Sequence, residues 1–234
     1  MRKKIIVCGA SRNLGKYLAN KFEKENTVFK LGRSSQKSKN YFKCDLLNVD
    51  ELYKTLNEIK LKSKIVNSVI FCIGDGKKYY KNNDELLFWK KSMETNLYTF
   101  INFINIFTKI FKKNKIKIIV LSSIAGTKII NAPITYSVAK SALNFYVKIK
   151  ALELIKQGIQ INILSLGNVL QKNNNWHKKL LKNNKKIKNY IKKNVPTNKF
   201  CHPEEIYSFC NNLLNNEHSN FLGSNIVLDG GQSL

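Results

Sequence analysis

Residues 4–34, KIIVCGASRNLGKYLANKFEKENTVFKLGRS, are the stretch from which the fold can be read. "KIIVCG" is a short apolar run and reads as a strand, "NLGKYLANKFEKEN" reads as a helix, and "TVFKLG" reads as a second strand. Between the first strand and the helix, glycines at 9 and 15 let the backbone turn tightly. Amides at the helix N-terminus that follows can hold a phosphate group. By itself such a loop is equally a βα turn with no ligand.

The rest of the chain repeats the alternation. "YFKCDL" reads as a strand and "NVDELYKTLNEIKLK" as a helix with Asn48 as N-cap. "SVIFCIG" is a strand, and residues 84–113 form one long helix. "IKIIVLSS" is a strand, and "TYSVAKSALNFYVKIKALELIKQG" is a helix ending on Gly158. "IQINILSLG" precedes a basic segment, then come the helix "PEEIYSFCNNLLNN" and the strand "SNIVLDGG". The strands are solid apolar runs rather than alternating ones, the mark of a parallel sheet covered by helices on both faces. The expected fold is a Rossmann-like, doubly wound α/β sheet of about seven strands, one domain over residues 1–234. Ligands of such sheets bind beyond the carboxyl ends of the strands.

At 234 residues the chain can bury a substantial core, and 43% apolar with 24% charged residues is ordinary globular composition. Met1 to Lys4 is basic, but the apolar run behind it is too short for a signal-peptide core, and nothing approaches a membrane span. The five cysteines are scattered, so no metal site is expected and a reducing cytoplasm fits. Forty-one Lys and Arg against 15 Asp and Glu give a net charge of +26. That balance fits anionic partners, and it equally fits the lysine-, Asn- and Ile-rich drift of AT-rich genomes.

Tyr136 and Lys140 lie four apart on one helix and so share a face. A free phenol, with a pKa of about 10, is a poor proton carrier near neutrality, and a nearby ammonium is expected to lower that value. Ser123, at a strand end thirteen residues before Tyr136, is placed to hydrogen-bond an oxygen of a substrate. A lone Y-x-x-x-K pair is common on helices, so only its company gives it meaning.

"GASRNLG", "SSIAG", "YSVAK" and the terminal "VLDGG", in that order, resemble the short-chain dehydrogenase/reductase family over essentially the whole chain. The general look is closest to its 3-oxoacyl-carrier-protein reductase-like members, in divergent form. The resemblance implies an oxidoreductase that moves a hydride between a nicotinamide cofactor and a carbonyl. It assigns Ser123, Tyr136 and Lys140 to the reaction and Asn96 to a supporting proton relay. In the cofactor loop it implies Gly9, Ser11, Arg12, Asn13, Leu14 and Gly15, with Asn13 where the family's middle glycine stands and Cys8 where a hydroxyl residue braces the loop. Asp45 and Leu46 match the adenine-contacting pair, while Gly74, Gly167 and Val169 match positions along the cofactor, as do Tyr136 and Lys140. The acid that would grip the ribose 2′-hydroxyl of NAD is absent. Gly32 stands there with Arg33 beside it, and Arg12 in the glycine loop can join it at a 2′-phosphate, so NADP(H) is expected. Two departures mark divergence: the family's N-N-A-G appears as "FCIG" at 71–74, and its P-G as Leu166–Gly167.

The resemblance makes the segment at about 168–199 a substrate lid. It carries nine lysines and no acid between Gln171 and Lys193. It reads as one or two helices resting their apolar side on the sheet, with lysines that are either compositional or steer an anionic substrate. The substrates expected are a carrier-linked 3-oxoacyl thioester, or alternatively a nucleotide-linked keto-sugar of surface-polysaccharide synthesis. A non-catalytic Rossmann protein that senses NADP or binds nucleic acid is the reading from another class. The resemblance also implies a homodimer or homotetramer, with no membrane partner.

Overall fold

The computed structural model describes residues 2–76, 85–112, 115–215 and 220–234. They build a seven-stranded sheet whose strands run parallel, in the order β3-β2-β1-β4-β5-β6-β7. The strands are β1 (Lys4–Cys8), β2 (Thr27–Gly32), β3 (Tyr41–Lys43), β4 (Ser68–Phe71), β5 (Ile116–Ser123), β6 (Ile159–Leu166) and β7 (Asn225–Leu228). Chain order runs outward from β1 in one direction to β3, then restarts from β1 in the other direction with β4. That reversal opens a crevice at the carboxyl ends of β1 and β4, where both crossovers leave the sheet on different sides.

The solid apolar runs are explained by burial on both faces. On one face Leu52, Leu56 and Ile59 of α2 (Val49–Lys62), Phe100, Phe103 and Phe107 of α4 (Thr99–Ile110), and Leu143, Val147 and Ala151 of α5 (Ile134–Leu154) cover the sheet. On the other, α1 (Asn13–Glu23) and α8 (Pro203–Asn215) bury Leu18, Ala19, Phe22, Ile206, Cys210 and Leu214. Asn48 caps α2 as expected, its Oδ1 accepting from the Glu51 amide at 3.1 Å. Gly158 closes the α5 region with φ +79°, the left-handed turn that glycine takes without strain.

The expected long helix of residues 84–113 is corrected. Asp84 and Lys113 lie outside the described residues, and the remainder is α3 (Glu85–Met93), a π-helical turn over Glu94–Tyr98, and α4. A π turn adds one residue per turn and is often found at functional sites. Here it carries Asn96. The lid expectation also shifts: α6 (Asn175–Lys182) and α7 (Asn184–Asn194) do not simply rest on the sheet. Ile187 packs with Val195 and Phe200 in a small core of its own, joined by Trp176, Leu180 and Tyr190. Trp176 stacks on Tyr190 at 5.3 Å and meets Phe200 in a tilted contact at 4.8 Å. No helix among the described residues is long and apolar enough to cross a membrane.

Candidate functional site

A cleft of about 990 Å³ opens at the crevice. Its floor is the β1–α1 loop. Gly9 has φ +83°, and a Cβ there would stand 2.6 Å from the Cys72 carbonyl oxygen, so this position requires glycine twice over. A Cβ at Gly15 would overlap the Gly9 carbonyl oxygen. Asn13 adopts φ +47°, the left-handed region that asparagine tolerates better than most residues, so the turn survives the missing glycine. Ser11, Arg12, Asn13 and Leu14 line the cleft around the N-terminus of α1.

Arg33, exposed just past β2, shares one rim with Arg12. Asp45 and Leu46 line the same end, where the Asp45 carboxylate accepts from the Leu47 amide at 3.1 Å. Gly32, at the end of β2, leaves no acid there. At the opposite end Gly167 lies against Asp229, where a Cβ would come within 2.7 Å of the Asp229 side chain, and Val169 bridges to Cys201. Every cofactor-loop and rim residue expected from the sequence therefore faces one cleft.

Ser123, Tyr136 and Lys140 meet in its middle, with Asn96 buried behind the 74–76 segment. Strand β5 delivers Ser123, whose Oγ accepts from the Ala125 amide at 3.2 Å and whose side chain hydrogen-bonds Tyr136. Tyr136 is half-buried, its hydroxyl deep in the cleft, while Lys140, one turn on, is 2% exposed. Lys140 donates to the Ile73 carbonyl at 3.3 Å, and its ammonium stands 6.0 Å from the Tyr136 ring centre. Asn96 is buried. Its Nδ2 donates to the Ser92 carbonyl at 3.0 Å and the Asp75 carbonyl at 3.2 Å, and its Oδ1 accepts from the Asp75 amide at 3.0 Å.

One electrostatic expectation is reversed. Burial pushes the Tyr136 phenol above its ordinary value, the Ser123 hydrogen bond opposes that rise, and the Asp75 charge adds to it. The Lys140 ammonium is turned to the Ile73 carbonyl and is itself desolvated. Burial pushes Lys140 down to about 8, with Cys72 opposing. The site thus holds a protonated phenol beside a lysine that titrates near neutrality.

The sequence reading missed Asp75 and Gly76. Gly74 lies so close under Lys140 that a Cβ would be 2.9 Å from Nζ, and Gly76 lies along Tyr136, where a Cβ would be 3.6 Å from the ring. The signal was available in the Gly-Asp-Gly run at 74–76, an acid between two residues without side chains. Ser122, next to Ser123, also lines the cleft, and its buried Oγ has no hydrogen-bond partner among the described residues.

A doubly wound parallel sheet with a glycine cradle at its switch point defines a dinucleotide-fold protein. The chain belongs to the short-chain dehydrogenase/reductase family, an oxidoreductase family: the family profile described as enoyl-(acyl carrier protein) reductase matches residues 13–233. It is 25% identical over 243 residues to the 3-oxoacyl-(acyl-carrier-protein) reductase FabG of Buchnera aphidicola subsp. Acyrthosiphon pisum (strain APS), covering 98% of this chain and 97% of that one. Among solved structures, a short chain dehydrogenase from Leptospira borgpetersenii serovar Hardjo-bovis with bound NAD+ superposes with a TM-score of 0.84 at 20% identity, covering 100% of this chain and 94% of that one. ElxO with NADP bound does so with a TM-score of 0.84 at 20% identity, covering 99% of each chain.

Proposed function

We propose that this protein is an NADPH-dependent reductase of a carbonyl compound, working through Ser123, Tyr136 and Lys140. The single observation that carries the reading is their convergence in the cleft whose floor is the glycine cradle. The cradle fits a dinucleotide: Gly9 and Gly15 let the loop close so tightly that a Cβ at either would strike backbone, and residues 11–15 then line the cleft around the N-terminus of α1. Gly9, Ser11, Arg12, Asn13, Leu14 and Gly15 would hold the pyrophosphate, Asp45 and Leu46 the adenine, and Gly74, Tyr136, Lys140, Gly167 and Val169 the nicotinamide half. Arg33, with Gly32 in place of an acid, favours the 2′-phosphate of NADP over NAD. Relatives with either dinucleotide exist, so this preference rests on the rim residues of this chain.

When bound, NADPH supplies the hydride that the carbonyl carbon takes up. Ser123 holds the carbonyl oxygen by a hydrogen bond, and Tyr136 gives that oxygen its phenolic proton. A phenol kept protonated by burial can give that proton to the carbonyl oxygen. Lys140, titrating near neutrality, can return a proton to Tyr136. Asn96 fixes the 74–76 segment above both groups. Replacing Tyr136 by Phe is expected to lower turnover about 10²- to 10⁴-fold while sparing NADPH binding. Unchanged turnover would remove Tyr136 from the reaction.

A 3-oxoacyl thioester is the leading substrate, by analogy with the Buchnera relatives. The nucleotide-linked keto-sugar keeps one specific support: Asn173, Asn175, Lys178 and Lys179 line the lid side of the cleft, an array of amides and ammonium groups suited to hydroxyls and phosphates. Assaying acetoacetyl thioesters beside nucleotide-linked keto-sugars decides between them. Activity on neither, with tight NADPH binding, would favour the sensing protein of another class. The protein is further proposed to work in the cytoplasm as a homodimer or homotetramer.

A further inference from the structure

Asp75 is the acid that the dinucleotide motifs do not account for. We propose that Asp75 is a positioning residue that competes with the phosphates of the cofactor for Arg12, so that this pair sets how tightly the cleft holds the dinucleotide. The inference rests on the cofactor reading above.

Its place is fixed by the backbone. Asn96 pins the amide and the carbonyl of Asp75 from both sides, at 3.0 and 3.2 Å. Gly74 under Lys140 and Gly76 along Tyr136 then hold the intervening side chain beside the reacting groups. The carboxylate is only 17% exposed, so water screens its charge poorly. Beside it, Arg12 Nη2 stands 3.9 Å from Asp75 Oδ2.

That distance is too long for a hydrogen bond, so the attraction is between charges and can be exchanged for a better partner. Arg12 is the residue to make the exchange. It is 61% exposed and is the N-cap residue of α1, where free amides face any phosphate in the loop. A guanidinium drawn against a phosphate gives up part of its attraction to the neighbouring carboxylate. Cofactor binding therefore strips Asp75 of part of its neutralisation and places a dianionic pyrophosphate beside it. Among the described residues lining the cleft, Asp45 is the other acid, and it stands at the adenine end. Asp75 thus weakens a complex that Arg12 strengthens. A reductase that must release its oxidised cofactor each cycle gains turnover from such an opposing charge when release is slow.

The test is a thermodynamic cycle read by binding alone. NADPH affinity is measured by fluorescence titration at low salt for wild type, Asp75→Asn, Arg12→Gln and the double variant. Asp75→Asn is expected to tighten binding about tenfold. Arg12→Gln is expected to weaken it, and by a larger factor in the Asp75→Asn background, because there Arg12 gives up no partner when the phosphate arrives. Additive effects, or weaker binding by Asp75→Asn, would overturn the inference while leaving the cofactor reading in place. Wild type that binds no NADPH overturns both. Circular dichroism checks each fold, with Asp75→Ser as the second substitution. If neither Asp75 variant folds, the residue is structural and the inference falls.

Discussion

Lys140 shows how one residue can carry both a chemical and a stability signature. Its pKa is pushed down to about 8 by burial, from an ordinary value of 10.5. Below about pH 8 the ammonium is charged in folded and unfolded chains alike, and burying it opposes folding. Between about 8 and 10.5 the unfolded chain binds more protons than the folded one, so stability rises with pH across that window. The Cys72 thiol acts in the opposite sense: pushed up to about 12, it stays protonated when folded, and its contribution falls above its ordinary value of 9.0. The Lys140 contribution is therefore best read as a difference. Denaturant melts of wild type and Lys140→Met should diverge between about pH 8 and 10.5, wild type gaining on the variant as pH rises. Parallel curves would mean that Lys140 titrates at its ordinary value and is not the desolvated group the geometry describes. The reversed Tyr136 shift belongs to the same cause, since a sequence lists the lysine four residues away but cannot say that both groups are buried.

At the scale of elements, the β1–α1 turn hangs on the left-handed backbone of Asn13, at φ +47°. Residues other than glycine and asparagine or aspartate lose about 1–2 kcal/mol there. Asn13→Gly should keep both melting temperature and NADPH affinity, whereas Asn13→Ala should lower both. Equal behaviour of the two variants would show that the turn does not need this conformation. This loop was legible in the sequence because its constraint is local: glycine and asparagine mark unusual backbone angles wherever they occur. So were the solid strands, Asn48 and Gly158. The π turn at Glu94–Tyr98 was not legible, because the apolar spacing of the region also fits one continuous helix. What sets the turn apart is tertiary: Asn96 bonds to Asp75, twenty-one residues away, across a segment whose glycines allow the approach. The Gly-Asp-Gly run marks Asp75 in the sequence, but its partners Arg12 and Tyr136 are brought to it only by the fold. The separate small core around Trp176 and Phe200 also depends on contacts that spacing alone does not reveal.

At the scale of the whole molecule, α5 is apolar on two sides. One side buries Leu143, Val147, Ala151 and Leu154 against the sheet. The other leaves Ile134, Val138, Phe145, Ile149 and Leu152 exposed, with Phe145 at 67% and Leu152 at 66%. Their spacing of three, four or seven residues places them on one stripe of the helix. Scattered apolar residues on a surface are ordinary, but a continuous stripe on the long helix of the site is the kind of face a second copy covers. A self-complementary pairing across a two-fold axis would bury it twice. Net charge opposes such pairing, because +26 on each copy repels the other, and salt screens that repulsion. Association should therefore tighten as salt rises from about 10 mM to 150 mM, the reverse of a contact held by ion pairs. Sedimentation velocity should find a dimer or tetramer for wild type and a monomer for Phe145→Lys combined with Leu152→Lys. A wild-type monomer at every salt and concentration would sink the homo-oligomer, and an unaltered oligomer in the double variant would move the interface away from α5. Because the same helix carries Tyr136 and Lys140, the double variant also asks whether assembly steadies the site. Loss of turnover that tracks dissociation, with NADPH still bound, would tie the two together.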